Sequence, residues 1–135
     1  QTYDPTHYAL QALLTHDQVS FSQSELAFRK EGKYPPFSHS ATIRVDGKNP
    51  KDVELVINGL AARMSRAAAD PTSLILRGPS PAALERLRGR TRWAFLLMSP
   101  NRAHLHGALK QLEIDPKTIP NDIRIAVDID PYDLL

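Results

Sequence analysis

The chain contains no cysteine. That excludes disulfides and thiol nucleophiles, and it removes the ligands from which most structural zinc sites are built. Long apolar runs are missing as well. Nothing approaches the roughly 18 consecutive apolar residues of a spanning helix, so no membrane contact is expected. The segment Gln1-Thr2-Tyr3-Asp4-Pro5 lacks an initiator Met, and it has neither the basic start nor the apolar run of a signal peptide. A cytoplasmic fragment of a longer protein fits these absences. Catalytic signatures are lacking too: there is no Gly-x-x-x-x-Gly-Lys-Ser/Thr loop, no Gly-x-Ser-x-Gly and no His-Glu-x-x-His. His104 and His106 are two apart, on different faces of an expected helix, which is poor metal spacing. Asp128 and Asp130 share a strand face that would suit a hard cation, but they are read as structural. No catalytic residue, metal or cofactor is therefore expected in this chain.

What is present is an ordinary folding composition. The 135 residues fit one domain, with 41% hydrophobic and 24% charged residues. A net charge of +2 is too small to point to nucleic acid by itself. The distribution says more. Arg77, Arg86, Arg88, Arg90, Arg92 and Arg102 stand in a stretch that holds one acid, Glu85, whereas Asp122, Asp128, Asp130 and Asp133 crowd the end. Clustered arginine suits phosphate and carboxylate recognition, because the planar fork donates two parallel bonds.

Asp4-Pro5 carries the signal of a helix start, and apolar residues at Tyr8, Leu10, Leu13, Leu14, Phe21, Leu26 and Phe28 predict two short helices, or one bent helix, to about residue 31. Tyr34-Pro35-Pro36-Phe37 cannot be helical and reads as a stiff hinge. His39, Ala41, Ile43 and Val45 alternate with polar residues as in a half-buried strand, and Asp46-Gly47 is expected to turn the chain. Asn49-Pro50 opens a helix with Val53, Val56, Ile57, Leu60 and Met64 on one face, expected to end near Ala69; Gly59 within it hints at close packing. A short strand is expected over 72–77, then a loop with one helical turn over 78–89. Arg90 to Met98 reads as a strand with Trp93, Phe95 and Leu97 inward. Ser99-Pro100-Asn101 caps a helix with Leu105, Ala108, Leu109 and Leu112 in the core. A loop over 114–120 leads to a last strand through Ile123, Ile125, Val127 and Ile129. From residue 38 the order β-α-β-β-α-β predicts an α+β, ferredoxin-like fold, a four-stranded sheet with both helices on one face. Fold alone assigns no function.

Two constellations stand out. Arg86, Arg88, Arg90 and Arg92 feed a strand and can be read as phosphate contacts along a DNA backbone, or as the solvated side of a hairpin. Trp93 shares a face with Phe95 and Leu97 and is expected in the core rather than as a stacking platform. Arg102, His106 and Lys110 recur at i, i+4 beside the apolar face of their helix. They suit a peptide that carries a hydrophobic side chain next to a carboxylate, or form a solvated helix face.

Four motifs then fall in one order: Gln1-Thr2-Tyr3-Asp4-Pro5-x-His7, Tyr34-Pro35-Pro36-Phe37, Gly78-Pro79-x-Pro81 with Leu87-x-Gly89-Arg90-x-Arg92-Trp93, and Asp128-Ile129-Asp130-Pro131. Together they resemble the C-terminal region of the PriA family, primosomal protein N′, and they cover the whole chain. The resemblance implies that residues 1–33 are a helical segment ending the second helicase lobe. It implies that 34–135 form a DNA- and partner-binding domain folded like the small ribosomal protein numbered ten. Expected partners are branched or single-stranded DNA at stalled forks, the acidic, Phe-ending tail of single-stranded DNA-binding protein (SSB), other primosome proteins and the helicase core of the parent chain, in the nucleoid-associated cytoplasm. The family's tail-binding Arg and Gln fall on Arg102 and His106, so the Gln is replaced, and Thr91 stands where an aromatic is usual. The family's ATP, magnesium and zinc sites lie upstream of Gln1. An RNA-binding ribosomal-like module and a small-molecule regulatory domain remain the rival readings.

Overall fold

The computed structural model describes residues 3–68, 72–112 and 114–131. The chain divides into two compact units, Gln1–Phe37 and Ser38–Leu135.

The first unit is a pair of helices, α1 (Tyr8–Thr15) and α2 (Gln18–Glu31). The expected start at Asp4-Pro5 is corrected. His7 is the cap, while the Asp4 carboxylate accepts from the backbone N–H and hydroxyl of Thr6 and so stabilises a turn instead. Asp17 caps α2 by accepting from Ser20 N at 3.0 Å. The helices are tied by the Tyr8 hydroxyl donating to Glu25, which Arg29 also contacts at 2.6 Å. Neither helix buries a residue completely.

The second unit runs β1 (His39–Gly47), α3 (Pro50–Ala67), β2 (Ile75–Leu87), β3 (Arg90–Ser99), α4 (Arg102–Lys110), a 3-10 turn at Pro116–Thr118 and β4 (Arg124–Ile129). The sheet is antiparallel in the order β2-β3-β1-β4, the expected ferredoxin-like arrangement. Alternation on the central strands places Ala41, Ile43, Val45, Phe95 and Leu97 inward. They pack against Val53, Ile57, Leu60, Ala61 and Met64 of α3 and Leu105 and Ala108 of α4, with Leu112 just beyond. Trp93 is partly buried against this core, as its shared face with Phe95 predicts.

Four readings of the chain change. Asp46 and Gly47 do not turn; they continue β1, opposite Arg92 and Thr91. Gly59 is not tightly packed, since a methyl group added there would meet nothing within 4 Å. The segment expected as a loop with a helical turn over 78–89 is strand β2, which reaches Leu87 with register shifts between Arg77 and Ser80 and between Pro81 and Arg86. Pro79 and Pro81 are tolerated because β2 is an edge strand and its shifts take up residues that cannot donate. Gly78 is required: its φ is +95°, and a Cβ would lie 3.2 Å from the Ala94 carbonyl oxygen. The loop over 114–120 contains a 3-10 turn. The expected end of α3 near Ala69 falls outside the described residues, as do the first two residues of the opening motif and Asp133.

Candidate nucleic-acid and peptide interface

The arginine-rich segment is a β-hairpin. Leu87 pairs with Arg90, and the two residues between, Arg88 and Gly89, have φ of +51° and +74°. Positive φ at both central positions is the signature of the type I′ turn, whose twist matches that of the strands, and glycine at the second position makes it accessible. The hairpin tip therefore presents Arg86 and Arg88, both exposed.

Arg90 has a different environment. Its guanidinium donates to the Asp46 carboxylate, to the Asp46 carbonyl at 3.0 Å and to the Asp122 carbonyl, with side-chain exposures of 16% for Arg90 and 22% for Asp46. It ties the base of the hairpin to β1 and to the turn before β4. Directly across from Asp46 lies Arg92, and on its other side Arg124. Cross-strand partners share a face, so Arg90, Arg92 and Arg124 belong to the sheet face opposite the helices. Arg86 pairs with Thr91, which lies on the helix side with Trp93. The four arginines of the sequence motif are thus distributed: Arg86 on one face, Arg88 at the tip, and Arg90 and Arg92 on the other. Arg124 was not singled out in the sequence, because only the sheet order brings it to Asp46.

The second constellation lies at the far end of the sheet. Asn101 caps α4 by accepting from Ala103 N at 2.8 Å. Arg102 and Lys110 are exposed; His106 is half-buried, and its Nε2 is shielded from solvent with no hydrogen-bond partner. At the end of β4, Asp130 accepts from Ser40 N at 3.0 Å and lies beside His39 Nδ1 at 3.4 Å. The Ser40 N–H, then the His39 ring and the Arg102 charge, hold its carboxyl below the usual range. Asp130 therefore has a structural role, and Arg102 is near it. α3 packs on β1, β2 and β3, and α4 on β1 and β3, which leaves the outer strand β4 largely uncovered. Val127 and Ile129, on the helix side by their pairing with Ile43 and Ala41, consequently remain 44% and 41% exposed. Among the described residues no cluster of His, Asp and Glu is arranged to hold a metal.

Comparison with known proteins identifies the family. Residues 30–132 match the family model described as the primosomal protein N C-terminal domain. The chain is 29% identical to the replication restart protein PriA of Synechocystis over 99% of its length, and 28% identical to that of Bacillus subtilis over 98%. It is 31% identical over 97% to the probable replication restart protein PriA of Deinococcus radiodurans. It spans only 16%, 16% and 14% of those proteins, respectively. Among solved structures, a de novo designed protein, Foldit4, superposes with a TM-score of 0.53 at 9% identity, covering 71% of this chain and 99% of the design. That likeness concerns the fold alone.

Proposed function

The chain belongs to the primosomal protein N C-terminal domain family, and we propose that it binds branched or single-stranded DNA at stalled replication forks and receives the C-terminal tail of SSB. The observation that carries the DNA reading is the hairpin: a type I′ turn anchored by Arg90 offers Arg86 and Arg88 to solvent, with Arg92 on the adjoining sheet face. Such an array neutralises phosphates without reading bases, so binding is independent of sequence and sensitive to salt. Arg90 acts as a positioning residue rather than a phosphate contact. The helicase activity that the family resemblance implies, with its ATP, magnesium and zinc sites, belongs to upstream segments of the parent chain; this chain serves as a binding module beside that core and the other primosome proteins.

The tail reading rests on the α4–β4 end. Arg102 and Lys110 supply cations, the half-buried His106 a polar side chain, and Val127 and Ile129 an uncovered apolar floor. An acidic peptide ending in a hydrophobic residue and a carboxylate matches that combination. Fluorescence titration of labelled fork DNA with the 135-residue chain tests the first half: Arg86→Ala with Arg88→Ala should weaken binding and flatten its salt dependence. Unaltered binding would remove the hairpin from the interface. Titration with a tail peptide tests the second half. Arg102→Ala should cost about 1.5–3 kcal/mol, as for a charge-assisted bond, and an unchanged affinity would reject the site.

A further inference from the structure

The sheet face opposite the helices can be read row by row from the register. One row is Arg124–Asp46–Arg92; the next is Ala126–Arg44–Ala94–Ser80. Arg44 thus stands on the central strand between two alanines, with a serine beyond. No long side chain shields it, and the row forms a shallow trough across the sheet. Around the trough lie Arg44, Arg90, Arg92 and Arg124 against two carboxylates, Asp46, which Arg90 already engages, and Asp128, diagonal to Arg44 on the side away from the hairpin. The side chains of Arg44, Arg92 and Arg124 make no hydrogen bond or ion pair among the described residues. Arg44 and Arg92 are half-buried and Arg124 is exposed. The next row, Asp128–Thr42–Leu96–Arg77, carries one charge of each sign, and the last is closed, with Ser40 and Met98 fully buried. The excess of positive charge lies at the hairpin end of the face.

We infer that this trough is a phosphodiester-binding track, in which Arg44, Arg92 and Arg124 continue the path of a nucleic-acid backbone from the hairpin tip across the open sheet. Diagonal neighbours on adjacent strands are about 7–8 Å apart, and residues two strands apart are separated by roughly 9–10 Å. The three positions therefore form a triangle wide enough for their side chains to meet successive phosphates rather than one. Alanine and serine between them let the backbone approach closely. No aromatic residue stands in either row, so the track holds the backbone without stacking bases and does not select sequence. Half-burial of Arg44 and Arg92 limits their motion, which favours forked, two-bond contacts with phosphate oxygens.

This inference rests on the proposed DNA binding, and its test separates the two. The salt dependence of binding is measured for the 135-residue chain with a single-stranded oligonucleotide and with a duplex, for wild type, Arg44→Gln/Arg124→Gln and Arg86→Gln/Arg88→Gln. Each lost phosphate contact lowers the slope of log affinity against log salt by about 0.7 on single strands and 0.9 on duplex. The sheet-face pair should therefore flatten the single-strand slope by about 1.4, so that a four-fold rise in salt costs roughly seven-fold less affinity than in wild type. The charge-retaining pair Arg44→Lys/Arg124→Lys should keep the wild-type slope. Should the first pair prevent folding, the exposed Arg124→Gln alone should flatten it by about 0.7. A flattening seen only with the oligonucleotide, or with both substrates, supports the track and identifies the strand it holds. An unchanged slope in the sheet-face variants, with a flattened one in the hairpin variant, overturns the track and leaves the DNA reading intact. Absence of binding by the wild-type chain overturns both.

Discussion

Replacing Arg90 by Ala separates a stabilising arginine from the arginines that surround it in sequence and are proposed to face DNA. The substitution removes a bond to the Asp46 carboxylate and bonds to two carbonyl oxygens, at a site where arginine and aspartate are 16% and 22% exposed. A hydrogen bond to a charged group is worth about 1.5–3 kcal/mol, and stranding one partner of a fully buried pair costs about 3–5 kcal/mol. Residual exposure lets water reach Asp46, so the expected loss is about 2–4 kcal/mol. For a unit of about 100 residues each kcal/mol moves Tm by about 4–8 °C, which makes the expected shift roughly 8–32 °C downward in a calorimetric or circular-dichroism melt. Asp46→Ala should cost less, about 1–2 kcal/mol, because Arg90 keeps its carbonyl partners, and the double variant should fall short of the sum. Arg88→Ala, at the exposed tip, should stay within about 0.5 kcal/mol. Below its melting point Arg90→Ala should retain the salt slope of DNA binding that Arg86→Ala/Arg88→Ala loses. Equal melting points for Arg90→Ala and Arg88→Ala would refute the anchoring role; Arg92, directly across from Asp46, would then be sufficient to hold it.

Three other outcomes follow from the geometry. Gly59→Ala should stabilise the second unit by about 0.5–1 kcal/mol in urea unfolding, since it improves helix propensity and meets no neighbour, whereas Gly78→Ala should destabilise it, having both a left-handed φ and the Ala94 carbonyl to contend with. Asp130, held in its ionised form chiefly by the Ser40 N–H, contributes stability above its unfolded pKa of about 3.9 and loses it as pH falls through the lower folded value; Asp130→Asn should be less stable than wild type near pH 6, and the gap should close once the pH has fallen below that folded value. His106→Ala should weaken tail-peptide binding by about 0.5–1.5 kcal/mol, as for loss of one neutral hydrogen bond, while His104→Ala leaves it unchanged, and equal affinities for the two variants would exclude His106 from the contact.

The parts of the fold visible in the sequence were those governed by local period. Alternation through Ala41, Ile43 and Val45 and through Trp93, Phe95 and Leu97 marked the central strands, and Asn49 and Asn101 marked the helix starts. The edge strand was hidden, because Gly78, Pro79 and Pro81 carry the local signature of a loop. Only pairing with β3 shows that register shifts accommodate them. The site was half legible for a related reason. A run of alternating arginines is evident in one dimension, but the division of labour within it depends on Asp46 and Asp122, which lie 44 and 32 residues from Arg90. Arg44 and Arg124 are unremarkable in their own segments and join Arg92 only through the order β3-β1-β4. Conversely, Asp4-Pro5 carried a start signal that a nearer partner, Thr6, diverted.

The most direct test of the account is one titration of the 135-residue chain with labelled fork DNA and with RNA of matching sequence, repeated across a range of salt. Binding of the fork in preference to RNA, with a slope near −3.5 on a single-stranded arm if Arg44, Arg86, Arg88, Arg92 and Arg124 each neutralise about one phosphate, is the predicted result. No binding at low salt, or tighter binding of the RNA, would contradict it.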